Sequence, residues 1–171
     1  TSCSGIFTFS IRDYILRDIG PAGGYIFYVD EADDFSWDYL EAAPYGWYNG
    51  GSDPQMPWGD MGVEINGTND ADPPELQNIG DGLANTQAIV SQLGSGTYAA
   101  RISLELTIGA FDDWFLPSIE ELYQIQNVLY ENELGGIGGT YWSSSEWQDN
   151  PDWGWGIYMP GTGGGWDKNL D

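Results

Sequence analysis

Residues 146–155 read Glu-Trp-Gln-Asp-Asn-Pro-Asp-Trp-Gly-Trp, so carboxylates, two amides and three indoles share one short stretch. A flat indole covers the apolar C–H face of a sugar ring, while carboxylates and amides hydrogen-bond its hydroxyls. Trp147, Glu146, Asp149, Asn150, Asp152 and Trp155 are therefore candidate glycan ligands. Trp147, in or beside the loop, is the better exposed ring, whereas Trp142 and Trp153, at alternate positions of strands, are expected in the core. The same loop also offers oxygen ligands. Ca²⁺ takes about six to eight of them from flexible segments, and two loops qualify: Asp149, Asn150 and Asp152 with Glu146, and Asn69, Asp70 and Asp72 with Asn66. Neither has the EF-hand spacing. Asn and Asp are favoured in turns for backbone reasons alone, which is the competing reading of both loops.

Other chemistries are excluded by what is missing. The chain has no histidine, which removes Ser-His-Asp and Cys-His nucleophiles and His-ligated metals. It has no phosphate-binding glycine loop, dinucleotide fingerprint or metalloprotease helix. A carboxylate pair of the glycosidase type is what remains, with Asp112 and Asp113 or Glu120 and Glu121 as nominal candidates. Among 27 acidic residues such neighbours arise by chance, and a non-catalytic protein is expected. Asn66-Gly67-Thr68 matches a glycosylation acceptor. The single cysteine, Cys3, cannot form an internal disulfide and reads as a free thiol, with cross-linking of chains or lipid attachment as the other uses.

Charge narrows the partners. Four Lys and Arg stand against 27 Asp and Glu, a formal charge of −23, and no base occurs between Arg17 and Arg101. A phosphate backbone or an anionic membrane finds no basic patch here, whereas dissolved cations are favoured. No apolar stretch approaches the ~18 residues of a membrane span, and no leader is visible at the start. A soluble, secreted chain with a glycan or a surface protein as partner is the expectation.

The elements that must position these residues come next. The 171 residues suit one domain. Ile6, Phe7, Thr8, Phe9, Ser10 and Ile11 alternate as an extended strand, within a segment 1–19 that precedes the domain proper at 20–171. After the breaker cluster Gly20-Pro21-Ala22-Gly23-Gly24, strands are expected at 25–29 and 37–42, then a long loop region from Pro44 to Gly82. Asn85 or Thr86 can cap a helix through Leu93, and Tyr98, Ile102 and Leu106 form the stripe of a second. Ser118-Ile119-Glu120-Glu121 is a capping box, with Leu122, Ile125 and Leu129 on the inner face of the helix it opens. Strands at 140–145 and 153–159 flank a turn at 148–152. The fold class is α+β.

Several of these motifs occur in the order of a known family. They are residues 20–30 (GPAGGYIFYVD), 39–44 (YLEAAP), 84–86 (ANT), 113–118 (DWFLPS) with Glu121 and Leu122, and 141–146 (YWSSSE). From Gly20 to about Lys168 the chain resembles the C-terminal-domain family of the Legionella collagen-like adhesins, related to the C-type-lectin-like fold. The resemblance implies a small twisted antiparallel sheet with two main helices and long loops on one side. It also implies a non-enzymatic role in adhesion or glycan contact at the cell surface, often as an oligomer. The matching motifs themselves read as structural, with Trp114, Leu116 and Trp142 filling a core and Ser118 with Glu121 capping a helix. Two departures stand out. Sulfated polysaccharides would need bases, and only Arg12, Arg17, Arg101 and Lys168 exist. The family's Arg-Pro terminal strand is missing, which would leave a sheet edge open. The expected function is an extracellular, non-catalytic recognition or adhesion module, glycan-binding and Ca²⁺-assisted. The alternative is a structural subunit of an extracellular filament, assembled by strand exchange through the segment at 5–11.

Overall fold

A computed structural model describes residues 14–68, 78–147 and 150–170. The expected strand around Ile6 to Ile11, together with Arg12, Cys3, Asn69, Asp70, Asp72 and Asp149, lies outside them. The described residues form a mixed α/β structure of two small antiparallel sheets and three α-helices.

The first sheet is a hairpin of β1 (Tyr25–Val29) and β2 (Tyr39–Ala42), which share a bulge between Ile26 and Tyr28. Residues 17–19 run beside it: the Arg17 amide donates to the Ile26 carbonyl at 2.8 Å, and Ile26 donates back to Asp18 at 2.9 Å. The glycine cluster before β1 has a specific cause. Glu41 on β2 accepts hydrogen bonds from the amides of Gly24 (2.6 Å) and Ala22 (3.3 Å). A Cβ on Gly24 would lie 1.7 Å from the Ala42 carbonyl oxygen, so only glycine allows this approach.

The loop region from Pro44 onward carries no helix or strand among its described residues until α1 (Gly82–Leu93). That helix starts earlier than the expected caps. Asp81 occupies its N-cap without a side-chain capping bond, and Asn85 and Thr86 lie inside the helix, both buried. Instead of capping, the Thr86 hydroxyl accepts from the Leu116 amide at 3.0 Å and donates to the Gly82 carbonyl at 2.7 Å. It ties α1 to the extended entry of the third helix. The second helix, α2 (Ala99–Leu104), is shorter than the stripe implied, because Tyr98 is its N-cap and Leu106 lies past its end. The capping box is present in full at α3 (Ile119–Val128). Ser118 Oγ accepts from the Glu121 amide, and the Glu121 carboxylate accepts from the Ser118 amide at 2.8 Å. Leu122 and Leu129 are buried as expected, and Ile125 packs partly buried between two apolar clusters.

The second sheet has the order β3 (Gly139–Glu146), β4 (Trp153–Met159), β5 (Gly163–Asp167). The glycine-rich β5 has no apolar alternation to announce it and is not among the expected strands. Between Trp142↔Gly156 and Glu146↔Gly154 the β3–β4 register shifts, leaving Ser143, Ser144 and Ser145 in a buried bulge. The bulge docks α3: the Ser144 amide donates to the Pro117 carbonyl at 2.7 Å, and Ser145 Oγ accepts from the Ile119 amide at 3.2 Å.

Candidate functional site

Strand β4 alternates Trp-Gly-Trp-Gly, and the alternation divides the indoles between two faces. On one face Gly154 and Gly156 leave room for large rings. A Cβ on Gly154 would lie 2.6 Å from the Trp58 ring, and one on Gly156 would lie 3.1 Å from Trp166. Trp58 is fully buried there and donates its Nε1 hydrogen to the Ser143 carbonyl at 2.7 Å. Trp142 joins this side, half-buried, with its Nε1 donating to the Met56 carbonyl at 3.0 Å and its ring edge-on to Trp166.

The opposite face carries Trp153 and Trp155, and Trp147 lies over them. Its ring centroid is 4.3 Å from Trp155 and 6.1 Å from Trp153. Gly165 on β5 is the seat of this group, because a Cβ there would lie 2.5 Å from the Trp147 ring and 3.1 Å from Trp153. Trp147 and Trp155 are half-buried, and Trp153 is 39% exposed. The core assignment of Trp153 and the expectation that Trp147 is the better exposed ring are thus both corrected. Trp153 begins β4 at the end of the sheet, beyond the reach of α3, while Ile157 and Met159 further along the same face are covered by that helix.

The connection between β3 and β4 is held by its own backbone. The Trp147 amide donates to the Trp153 carbonyl at 3.1 Å, and Trp153 donates to the Asn150 carbonyl at 3.0 Å. Asn150 Oδ1 accepts from the Asp152 amide at 3.0 Å, the turn role of an Asn side chain. Asp152 remains half-buried beside Gly62. Among the described residues no three acidic or cysteine side chains gather as a metal site.

Glu146 is placed elsewhere. It is 1% exposed and forms an ion pair with Lys168, itself sealed from solvent. Its second oxygen accepts from the Ile65 amide at 2.9 Å. Lys168 also donates to the Val63 carbonyl at 2.7 Å and stands 4.5 Å from the Trp58 ring centroid. Burial pushes the Glu146 carboxyl above its ordinary value, while the hydrogen bonds from Lys168 and Ile65 pull it back and nearby Glu64 raises it again. A glycan at the indole face would not reach this carboxylate. Local sequence gives no sign that Trp58 and Lys168 surround Glu146. The only available signal is that this acidic chain contains a single lysine.

The nominal catalytic pairs are separated by their surroundings. Asp112, Asp113 and Glu120 are exposed, whereas Glu121 is buried and accepts the amides of Ser118 and Gly80 (both 2.8 Å). In the glycosylation triplet, Asn66 is exposed but donates its side-chain amide to Gln92 Oε1, and the buried Thr68 hydroxyl donates to the Ile65 carbonyl. A shallow cleft of about 580 Å³ near Tyr130, Glu133, Leu134 and Pro160 contains none of the candidate residues. Among the described residues no helix is long and apolar enough to cross a membrane. Comparison with protein-family models, curated proteins and solved structures found no match.

Proposed function

We propose that the protein is a non-catalytic recognition or adhesion module of a bacterial surface, with a C-type-lectin-like body, that binds glycans on the face formed by Trp147, Trp153 and Trp155. One observation carries this reading: three indoles are grouped at the end of a sheet, seated on a glycine, with Trp153 open to solvent. Rings held by packing lose little entropy when a sugar lies against them. Asn150, in the turn that leads into Trp153, supplies a polar contact to the hydroxyls. Ca²⁺ assistance belongs to the same proposal, with Asp149 and Asp152 as its carboxylates. A glycan array in millimolar Ca²⁺ should give hits that Trp147→Ala abolishes and that EDTA weakens. An array blank with and without Ca²⁺ would reject the glycan reading, and hits indifferent to EDTA would remove the metal.

A second reading rests on Ile15, Leu16 and Ile19, which are 68%, 43% and 54% exposed just after the alternating segment. Such a patch, following a segment whose sequence alternates as a strand does, suits strand exchange between copies in an extracellular filament. Deleting residues 1–11 should then convert assemblies into monomers, and an unchanged size by light scattering would reject it.

A further inference from the structure

Resting on the glycan reading, we infer that the indole face selects cationic sugars, namely oligomers of amino-sugars whose amines are protonated. The sugar's C–H face would lie on Trp153 and Trp147, and its ammonium group would meet the indole π-system and the carboxylate of Asp167. Asp167 is the register partner of Trp153, so both side chains project from the same face of the sheet. Asp152, one position earlier and joined through its carbonyl to the Lys168 amide, belongs to the opposite face, half-buried against the turn at Gly62.

The described bases are committed elsewhere and do not neutralise this surface. Lys168 is sealed inside with Glu146. Arg101 pairs with Glu105 at 2.7 Å, and Arg17 donates to Asn132 Oδ1 at 3.1 Å. Asp167 takes part in no ion pair among the described residues. With a formal charge of −23 over the whole chain, the long-range field repels sulfated or carboxylated sugars and concentrates cationic ones. Close to the ring, a cation gains further from the negative face of the indole. An uncharged N-acetylated sugar keeps the stacking contact and loses both electrostatic contributions.

The test compares a glucosamine hexamer with its fully N-acetylated counterpart, titrated against the whole chain at mildly acid pH and low salt, with tryptophan fluorescence as the readout. The amine oligomer should bind about tenfold tighter. Asp167→Asn should lower that preference about threefold while leaving the acetylated oligomer's affinity unchanged, Trp153→Ala should weaken both, and a preference unchanged by Asp167→Asn would overturn the contact. Equal affinities for the two oligomers would overturn the cationic preference and leave the glycan reading standing. Binding of neither would remove the glycan reading and this inference with it. If oligolysine of equal charge competes as well as the amine oligomer and is indifferent to Trp153→Ala, attraction is unspecific and the inference fails.

Discussion

Glu146 and Lys168 meet as an ion pair with side-chain exposures of 1% and 0%. The pair joins the residue after β5 to the last residue of β3, and through Val63, Ile65 and Trp58 it fastens the long loop to the sheet. Burying two charges is expensive, and removing one partner leaves the other unsatisfied. Lys168→Met or Glu146→Gln alone should each cost about 3–5 kcal/mol. The double variant should cost clearly less than the sum, because the uncompensated charge is gone and Gln still accepts from the Ile65 amide. Urea unfolding of the three variants measures this. Strict additivity would mean that the charges do not interact.

Gly165 decides the position of Trp147. Its backbone is ordinary strand, so Gly165→Ala brings no φ penalty and acts only through the ring that a Cβ would meet at 2.5 Å. The indole must shift. A stability loss of about 1–3 kcal/mol is expected from overpacking, together with a change in the near-ultraviolet circular dichroism of the coupled indoles. Gly164→Ala, where the nearest ring atom is 3.8 Å away, is the control and should leave the spectrum unchanged. Similar spectra for both variants would show that Gly165 does not seat the group.

Much of the scaffold is legible in the sequence because local chemistry coincides with tertiary need. The alternation in Tyr25–Val29, the capping box at Ser118 and the Trp-Gly repeat of β4 each announce their element. What escapes depends on distant partners. Glu146 looks like a loop ligand because Lys168 lies 22 residues away. Thr86 looks like a cap because its bond to Leu116 spans 30 residues. Strand β5, Gly-Gly-Gly-Trp-Asp, has a composition that reads as a loop, yet it pairs with β4, and its glycines stand where side chains would collide with Tyr123 and Trp147. Within the candidate site the sequence identifies Trp147 and Trp155, but the exposure of Trp153 depends on where α3 stops covering the sheet.

Ser118 serves two elements at once. Its hydroxyl accepts from the Glu121 amide at 3.2 Å and donates to the Asn78 carbonyl at 2.7 Å, so the cap also anchors the end of the long loop region. Ser118→Ala should cost about 1–2 kcal/mol, at the upper end for an N-cap because the loop contact is lost with it. Ser118→Thr keeps the hydroxyl and should recover part of the loss. Thermal unfolding of the pair tests the assignment, and equal melting temperatures for Ala and Thr would refute a role for the hydroxyl.

Acidity should stabilise this protein, and Glu121 is one identifiable cause. Burial raises its carboxyl above the ordinary value of 4.5, against the opposing pull of the Ser118, Gly80 and Gly82 amides, and the charge of Asp81 raises it further. A raised value in the folded state means that the native chain holds this proton more tightly than the unfolded one does. The resulting stabilisation is complete below 4.5 and fades as pH rises through the folded-state value. Lowering the pH from neutral toward that range should therefore raise the melting temperature. Relief of self-repulsion at −23 has the same sign, so the comparison needs a charge-matched partner. Glu120→Gln, exposed on the same helical turn, and Glu121→Gln remove one carboxylate each. Only Glu121→Gln should flatten the pH dependence, and it should also cost about 1–3 kcal/mol at neutral pH because amides that shared two carboxylate oxygens are left with one acceptor. Parallel pH profiles for the two variants would show that the buried carboxyl contributes nothing to the acid stabilisation, leaving it entirely to the surface charge.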